Sequence, residues 1–301
     1  LRMYMKKTID KHLYKCFFGI FILVSQFSFA QTTEEFSFMG MLQTPDRQVM
    51  TYKIDLIITD GLVSGTSLMD IDGPNATTSS IAGKYDYATK ELSYSEDKVL
   101  SSKAPLDGDF CFISIKAKMA VKKKKSHLNG DFWGLVDKKD SCVEGQISMV
   151  ATSYIMNKMN TVAKLIEKSG TTDSTTLANS DLEEFKKSIS TQRISSTESV
   201  SIRATNGKCL LNIWDDGIED GDIVSVKLNG IIVLYNYTLK KDMKAVGITL
   251  TKGENIIEII AQNTGTRFPN TAYLSVEDTE SKTKLSSNLE KDQIAKIVVV
   301  Y

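Results

Sequence analysis

Residues 209–239 read CLLNIWDDGIEDGDIVSVKLNGIIVLYNYTL, and this stretch predicts three consecutive β-strands. Apolar residues alternate with polar ones before the acidic run, between that run and Asn229-Gly230, and after Asn229-Gly230. A period of two is typical of strands that bury one face. Asn-Gly is a preferred centre of a two-residue hairpin turn. This part of the chain is therefore expected to be antiparallel β-structure.

The flanking sequence continues the same pattern from about Ser199 to the last residue. Further short segments with alternating residues are VSIRA, AVGITLTKG, NIIEIIAQN, AYLSVED and AKIVVVY. Seven or eight short strands at this spacing are typical of two packed antiparallel sheets. We therefore predict a β-sandwich over residues 197–301.

An earlier block, residues 31–152, contains eight more alternating segments separated by turn-forming residues. They are EEFSFMGML, VMTYKIDLIIT, LVSGTSLMDI, SSIAGKYDY, KELSYSE, FCFISIKAKMAV, HLNGDFWGLV and CVEGQISMVA. Glycines inside strands, such as Gly83 and Gly130, allow a sheet to bend strongly, and eight strands suffice to close a small barrel. The predicted domain is an antiparallel meander that looks like a lipocalin- or avidin-type barrel, without a motif specific to either family.

Four aromatic residues of this block have two readings. They either line a small-molecule cavity inside the barrel or fill its core, and the core is favoured. The four are Tyr85, Tyr87, Phe132 and Trp133.

Residues 153–196 differ from both blocks and predict a helix followed by a linker. Apolar residues spaced by three and four precede Gly170 and indicate an amphipathic helix, namely Ile155, Met159, Val162, Leu165 and Ile166. The Ser- and Thr-rich sequence that follows is typical of a solvated linker that proteases cut first. The whole chain is thus predicted to be all-β with a short helical linker between two separate domains. A sheet shared by the two blocks would contradict that separation.

The first thirty residues have the pattern of a secretory signal peptide. Lys6, Lys7, Lys11 and Lys15 precede an apolar run of about twelve residues, too short for the ~20 residues of a spanning helix. Ser28-Phe29-Ala30 supplies small residues before a cut at Gln31. We expect an exported protein of the periplasm, cell surface or exterior, not integral to a membrane after cleavage.

Charge and histidine content exclude several function classes. The 37 basic and 37 acidic residues become a net charge of about −4 once residues 1–30 are removed, so no broad basic field remains for nucleic acid. His127 is then the single histidine, which nearly excludes histidine triads and multi-histidine zinc sites.

Three cysteines remain beyond the leader, and export favours one disulfide. Cys111 and Cys142 lie on candidate strands of the same block and are the predicted pair. Cys209 alternates with apolar neighbours and is predicted to be a buried free thiol.

Three segments of the C-terminal block resemble a β-sandwich module of exported Bacteroidetes proteins of flavobacterial type. They are IWDDGIEDGDIVSVKLNG, TLTKGENIIEIIAQNTG and FPNTAYLSV, within residues 197–277. The resemblance implies export and a sandwich but no particular reaction. A weaker similarity links the acidic loop and the strand after it to calcium-dependent carbohydrate-binding sandwiches.

Five carboxylates crowd the loop between two predicted strands: Asp215, Asp216, Glu219, Asp220 and Asp222. Carboxylate oxygens are the ligands that calcium prefers, although the spacing is not that of an EF-hand. A solvated turn with side-chain-to-backbone hydrogen bonds is the leading alternative, and acid–base catalysis is the least favoured. Trp214, Tyr235 and Tyr237 are the candidate ligand-binding aromatics near the loop, with Trp214 more often a core residue.

The preferred function is a non-catalytic binding protein of the cell envelope. Its expected cofactor is calcium, and its expected partner is a glycan or an envelope protein. A purely structural envelope protein without metal is the close alternative. An extracellular hydrolase ranks third, because the sequence offers no nucleophile motif or phosphate loop.

Overall fold

The computed structural model describes residues 32–122, 125–168, 182, 185, 186, 189, 191–217 and 219–301. The predicted signal peptide lies outside these residues. The first eight strands are β1 (Thr33–Gln43), β2 (Val49–Thr59), β3 (Leu62–Met69), β4 (Thr77–Asp86), β5 (Glu91–Ser102), β6 (Cys111–Ala120), β7 (His127–Val136) and β8 (Asp140–Ala151).

A helix and ten further strands follow. They are α1 (Thr152–Lys168), β9 (Gln192–Ile194), β10 (Ser199–Arg203), β11 (Lys208–Trp214), β12 (Ile223–Leu228), β13 (Ile231–Thr238), β14 (Lys244–Thr249), β15 (Glu254–Ala261), β16 (Asn270–Glu277), β17 (Lys282–Leu289) and β18 (Ile294–Val300). The predicted all-β class with one helix between two β-regions is confirmed.

The eight strands β1–β8 form the predicted antiparallel barrel. Each strand pairs with the next in the chain, β1 pairs with β8, and the pairing of β5 with β6 completes the meander. Alternate side chains point inward, and the largest fully buried ones include Phe38, Tyr52 and Phe132. Burying one face of every strand against the others is what the period of two predicted.

Glycines in the barrel strands allow neighbouring backbones to approach closely. A Cβ atom on Gly83 would lie 2.1 Å from the Ser93 carbonyl oxygen across the β4–β5 pair. A Cβ on Gly130 would lie 2.3 Å from the Lys116 carbonyl oxygen across the β6–β7 pair. The close approach of these strand pairs therefore requires the absence of side chains at Gly83 and Gly130.

The four aromatic residues proposed for a barrel cavity do not share one. Tyr85 and Phe132 are buried in the barrel core, as the favoured reading had it. Tyr87 and Trp133 are exposed, and the Tyr87 hydroxyl donates a hydrogen bond to Glu34 at 3.1 Å. Tyr87 and Trp133 therefore neither line a cavity inside the barrel nor fill its core, so both interpretations are wrong for these two residues. Alternation along β7 places Phe132 inside the barrel and Trp133 outside.

The predicted disulfide between Cys111 and Cys142 is present, with Cα atoms 6.1 Å apart. It links the first residue of β6 to β8, the strands on either side of β7. Cys209 is a free, buried thiol, as predicted, and donates a weak hydrogen bond to the Asn206 carbonyl.

The C-terminal strands form the predicted sandwich of two sheets. One sheet has the order β13-β12-β15-β18-β10 and the other β14-β11-β16-β17-β9. Their inner faces enclose a separate core that includes Leu211, Val226, Ile257 and Ile297. The hairpin between β12 and β13 turns at Asn229 and Gly230, which both have positive φ, as an Asn-Gly turn of this type requires.

Two strands of the sandwich were not predicted. β9 lies in the stretch assigned to a solvated linker, yet Gln192 and Ile194 are buried and β9 pairs in parallel with β17. β17 contains Ser286 and Ser287, which weaken its apolar pattern. Both serines are buried and hydrogen-bonded, Ser286 to Thr191 and Ser287 to the Ala272 carbonyl.

The barrel and the sandwich share a sheet, which differs from the expectation of two blocks without a common sheet. β6 pairs with β5 only along Glu91–Ser95, so the second half of β5 has a free edge. β10 pairs with that edge at Ser101 and Ser102. A free strand edge exposes unpaired backbone groups, and β10 satisfies some of them. Two cores and one continuous sheet result, within a single compact unit from Thr32 to Tyr301.

Candidate functional site

The acidic loop lies at one end of the sandwich, where the chain crosses from β11 in one sheet to β12 in the other. Its backbone is tied to two neighbouring loops. The Asp215 amide donates to the Lys240 carbonyl, and the Asp222 carbonyl accepts from the Leu239 amide. The Asp220 carbonyl accepts from the Thr266 amide. These bonds fix the loop between the segments that follow β13 and β15.

The five predicted carboxylates have different environments. Asp216 and Glu219 are exposed, and Glu219 accepts a hydrogen bond from the Lys241 amide at 2.6 Å. Asp215 is buried and accepts from the Gly217 amide at 2.7 Å, as in an Asx turn. Asp220 is half-buried and Asp222 is buried. Asp216 and Glu219 thus fit the predicted solvated turn, whereas Asp220 and Asp222 are partly or fully buried.

Asp220 and Asp222 each have one oxygen bonded to backbone and one oxygen without a donor. Asp220 Oδ2 accepts from the Arg267 amide at 2.9 Å, and Asp222 Oδ2 accepts from the Thr271 amide at 2.8 Å. Among the groups that the structure describes, none donates a hydrogen bond to the buried Oδ1 of either residue. An unpaired buried carboxylate oxygen is costly, so both positions favour a positive partner.

Asp222 is only 3 % exposed. The pKa of its carboxyl is raised to about 6, mainly by burial and in smaller part by the negative charges of Asp220 and Asp215, against the lowering effect of the Thr271 hydrogen bond. Like charges in one buried place disfavour ionisation of each other. A cation between them would reverse that effect.

Two asparagines that the sequence reading did not select complete the cluster. Asn270 is fully buried, and its Nδ2 donates to the Asn263 carbonyl at 2.9 Å and to the Ile223 carbonyl at 3.2 Å. Because both partners are acceptors, the amide nitrogen is fixed on that side. Asn270 Oδ1 is buried and has no donor in the described part of the chain.

Asn263 holds the loop in place from the other side. Its Oδ1 accepts from the Ile223 amide at 2.7 Å, and its Nδ2 donates to the Gly221 carbonyl at 2.8 Å. Asn263 lies in AQNTG and Asn270 in FPNTA, two segments quoted above, and their position there is the signal that could have identified them.

The predicted set of five carboxylate ligands needs correction. Over the described ranges, no three His, Cys, Asp or Glu side chains are grouped as a metal site. Asp216 and Glu219 are exposed to solvent. The oxygens left for a ligand belong to a mixed set, two carboxylates and one amide, from Asp220, Asp222 and Asn270.

The candidate aromatic residues have separate neighbours. Trp214 is half-buried with its ring 6.0 Å from that of Tyr273, and Tyr237 packs on the sandwich core beneath Lys244. Tyr235 is 70 % exposed on β13, a strand that also carries the exposed Ile231 and Ile232. Of the three, Tyr235 presents a ring to solvent, and the other two support the sandwich.

No helix within the described ranges combines the length and the apolar composition needed to cross a membrane. Comparison of the chain with protein-family models, curated proteins and solved structures found no match.

Proposed function

We propose that this chain is an exported, non-catalytic binding protein of the cell envelope whose β-sandwich takes up a calcium ion at Asp220, Asp222 and Asn270. The observation that carries the proposal is that the Oδ1 atom of each of these three residues is buried and has no hydrogen-bond donor among the described groups. Hard carboxylate and amide oxygens are the ligands that calcium prefers, and carbonyls and water complete its six to eight positions.

The ion would join the acidic loop to the start of β16. Asp220 and Asp222 belong to the first, and Asn270 begins β16. A bound cation offsets the repulsion among the buried carboxylates, so the metal stabilises the end of the sandwich. Calcium bound there supports recognition of a glycan or an envelope protein by the sandwich surface, where Tyr235 is exposed. The resemblance to exported Bacteroidetes modules is in keeping with this role.

Thermal unfolding of the purified protein with calcium and with a chelator tests the proposal. Calcium at a hundred times its dissociation constant is expected to stabilise the protein by about 2.7 kcal/mol. Asp222→Asn is expected to abolish that gain. Without calcium the variant should be as stable as the wild type or more stable, since it removes one of the clustered charges.

Asp216→Asn is the matched control, because Asp216 lies in the same loop and is exposed. It should leave the calcium effect intact, and so should Asp131→Asn on the barrel. A protein whose melting temperature is the same in calcium and in chelator would overturn the proposal. Equal losses from Asp216→Asn and Asp222→Asn would also overturn it.

A further inference from the structure

The barrel contains a cavity at the place where β5 and β6 separate. Their pairing ends at Ser95 and Ser114, and beyond it a cavity of about 250 Å³ opens between the two strands. Apolar side chains form most of its wall, and one buried carboxylate faces it. Its lining includes Met69, Val99, Phe110, Phe112, Asp109 and Glu96.

Glu96 is the first residue of β5 beyond its pairing with β6, which ends at Ser95. The register of β4 against β5 shifts between Ser80 and Ile81, and Ile81 lies opposite Glu96. Glu96 Oε2 accepts from the Ile113 amide at 2.9 Å, so the carboxylate replaces a backbone bond that β5 and β6 no longer make. This role explains why an acceptor is needed here, but not why the acceptor carries a charge.

The other bonds of Glu96 come from neutral groups. Oε1 accepts from the Tyr52 hydroxyl at 2.8 Å and from the Ser67 hydroxyl at 2.6 Å. Glu96 is 6 % exposed, and no lysine or arginine in the described ranges forms an ion pair with it. A carboxylate has about four acceptor positions, and three are filled, which leaves one on Oε2.

The ionisable side chains that line the cavity in the described chain are all acidic. They are those of Glu96 and Asp109. Burial raises the pKa of Glu96 against its three hydrogen bonds, since a charge at this depth lacks water and a positive partner. A ligand with a cationic head would supply that partner, and its body would contact the apolar wall.

We propose that this cavity binds a small organic amine, with its ammonium group on Glu96 Oε2 and its apolar body among Met69, Val99, Phe110 and Phe112. The volume is slightly below the ~300–1,000 Å³ of drug-sized ligand sites, so the ligand is small. The site belongs to the barrel and is independent of the calcium proposal.

Calorimetric titration of the purified protein with phenethylamine and with 2-phenylethanol tests the inference. The two probes match in size, but only the amine is charged at pH 7. The wild type is expected to bind the amine at least tenfold more tightly than the alcohol. Glu96→Gln is expected to lose that preference. Its amide oxygen can accept from the Ile113 amide, and the Ser67 hydroxyl can rotate to accept from its NH₂ group. The Tyr52 hydroxyl already accepts from the Tyr94 hydroxyl at 3.1 Å, so that bond must reverse before Tyr52 can accept from the new amide.

Asp97→Asn is the matched control, because Asp97 is adjacent in sequence but exposed, where it pairs with Lys138 at 3.2 Å. It should bind the amine like the wild type. Val99→Phe fills the cavity without touching the bonds of Glu96 and should abolish binding of both probes, which keeps the test decisive if Glu96→Gln does not fold. Absence of amine binding to the wild type, or equal affinity for amine and alcohol, would overturn the proposal.

Discussion

Ser101 of β5 and Gln192 of β9 are hydrogen-bonded to each other inside the junction of barrel and sandwich. The Ser101 hydroxyl donates to Gln192 Oε1 at 2.8 Å, and Gln192 Nε2 donates to the Ala76 carbonyl at 2.7 Å. Both side chains are buried. One side chain of the sandwich therefore satisfies two polar groups of the barrel, beside the point where β10 extends the barrel sheet.

Gln192→Ala is expected to destabilise the protein by about 1–3 kcal/mol, because it leaves the Ser101 hydroxyl buried without its acceptor. It also removes one of two bonds to the Ala76 carbonyl, which keeps the bond from the Lys103 amide at 3.0 Å. Denaturant unfolding of the variant measures the loss. Gln43→Ala, on an exposed position of β1, is the control and should change the free energy of unfolding by less than about 0.5 kcal/mol. Equal effects of the two changes would show that the junction bond contributes nothing.

Gly83→Ala tests the close approach of β4 and β5. The new methyl group would meet the Ser93 carbonyl oxygen and Tyr94 Cα, both backbone atoms, so the strands must separate. We expect a loss of about 1–3 kcal/mol, the usual cost of inserting a group into packed structure. Gly247→Ala on β14 is the matched change, since its methyl group would have nothing within 4 Å. Thermal melts that rank the two variants in the opposite order would contradict the packing described for the barrel.

The Cys111–Cys142 disulfide is expected to stabilise the barrel by restricting the unfolded chain. With a sequence separation of 31 residues, the chain-entropy model gives about 3–4 kcal/mol. A reductant should lower the unfolding midpoint of the wild type accordingly. The double change Cys111→Ala and Cys142→Ala should be insensitive to reductant, because Cys209 has no cysteine partner in the described part of the chain.

Strand periodicity was enough to predict most of the architecture. All eight barrel segments became strands, since each has an alternating pattern. β9 and β17 were missed because each contains or adjoins buried polar residues, which are typical of solvated sequence. These residues are Thr191 and Gln192 at β9, and Ser286 and Ser287 in β17. Their polarity is compensated by hydrogen bonds such as Thr191 to Ser286, which are visible only once the strands are placed side by side.

The pairing of β5 with β10 was unpredictable for a related reason. It depends on where β6 leaves β5, and that point is set by the geometry of the barrel rather than by any single residue. The same geometry creates the cavity at Glu96, which the sequence places in an ordinary strand pattern. For the acidic loop, composition identified Asp220 and Asp222, but only the fold separates them from the solvated Asp216 and brings Asn270 to them.

Asp278 gives a prediction about pH. Burial alone would raise its pKa, but hydrogen bonds from the Thr205, Glu280 and Ser281 amides and the Ser281 hydroxyl lower it below the usual range. The distances from these donors are 2.7–3.0 Å, and they tie the turn after β16 to Thr205 beyond β10. The charged carboxylate therefore stabilises the folded state.

The sign follows from the lowered pKa. The contribution of Asp278 to the free energy of unfolding is fully present above the pKa of the carboxyl in the unfolded chain, about 3.9. It is lost as the pH falls through the lower pKa of the folded state. Asp278→Asn should cost about 2–3 kcal/mol at pH 7, since hydrogen bonds to a charged group are lost, and progressively less between about pH 4 and pH 2. Denaturant unfolding of both proteins over this range measures the difference. Asp242→Asn, an exposed residue of the loop before β14, should show a small difference at every pH. A gap between wild type and Asp278→Asn that stays constant or widens on acidification would rule out a charge-dependent role for this carboxylate.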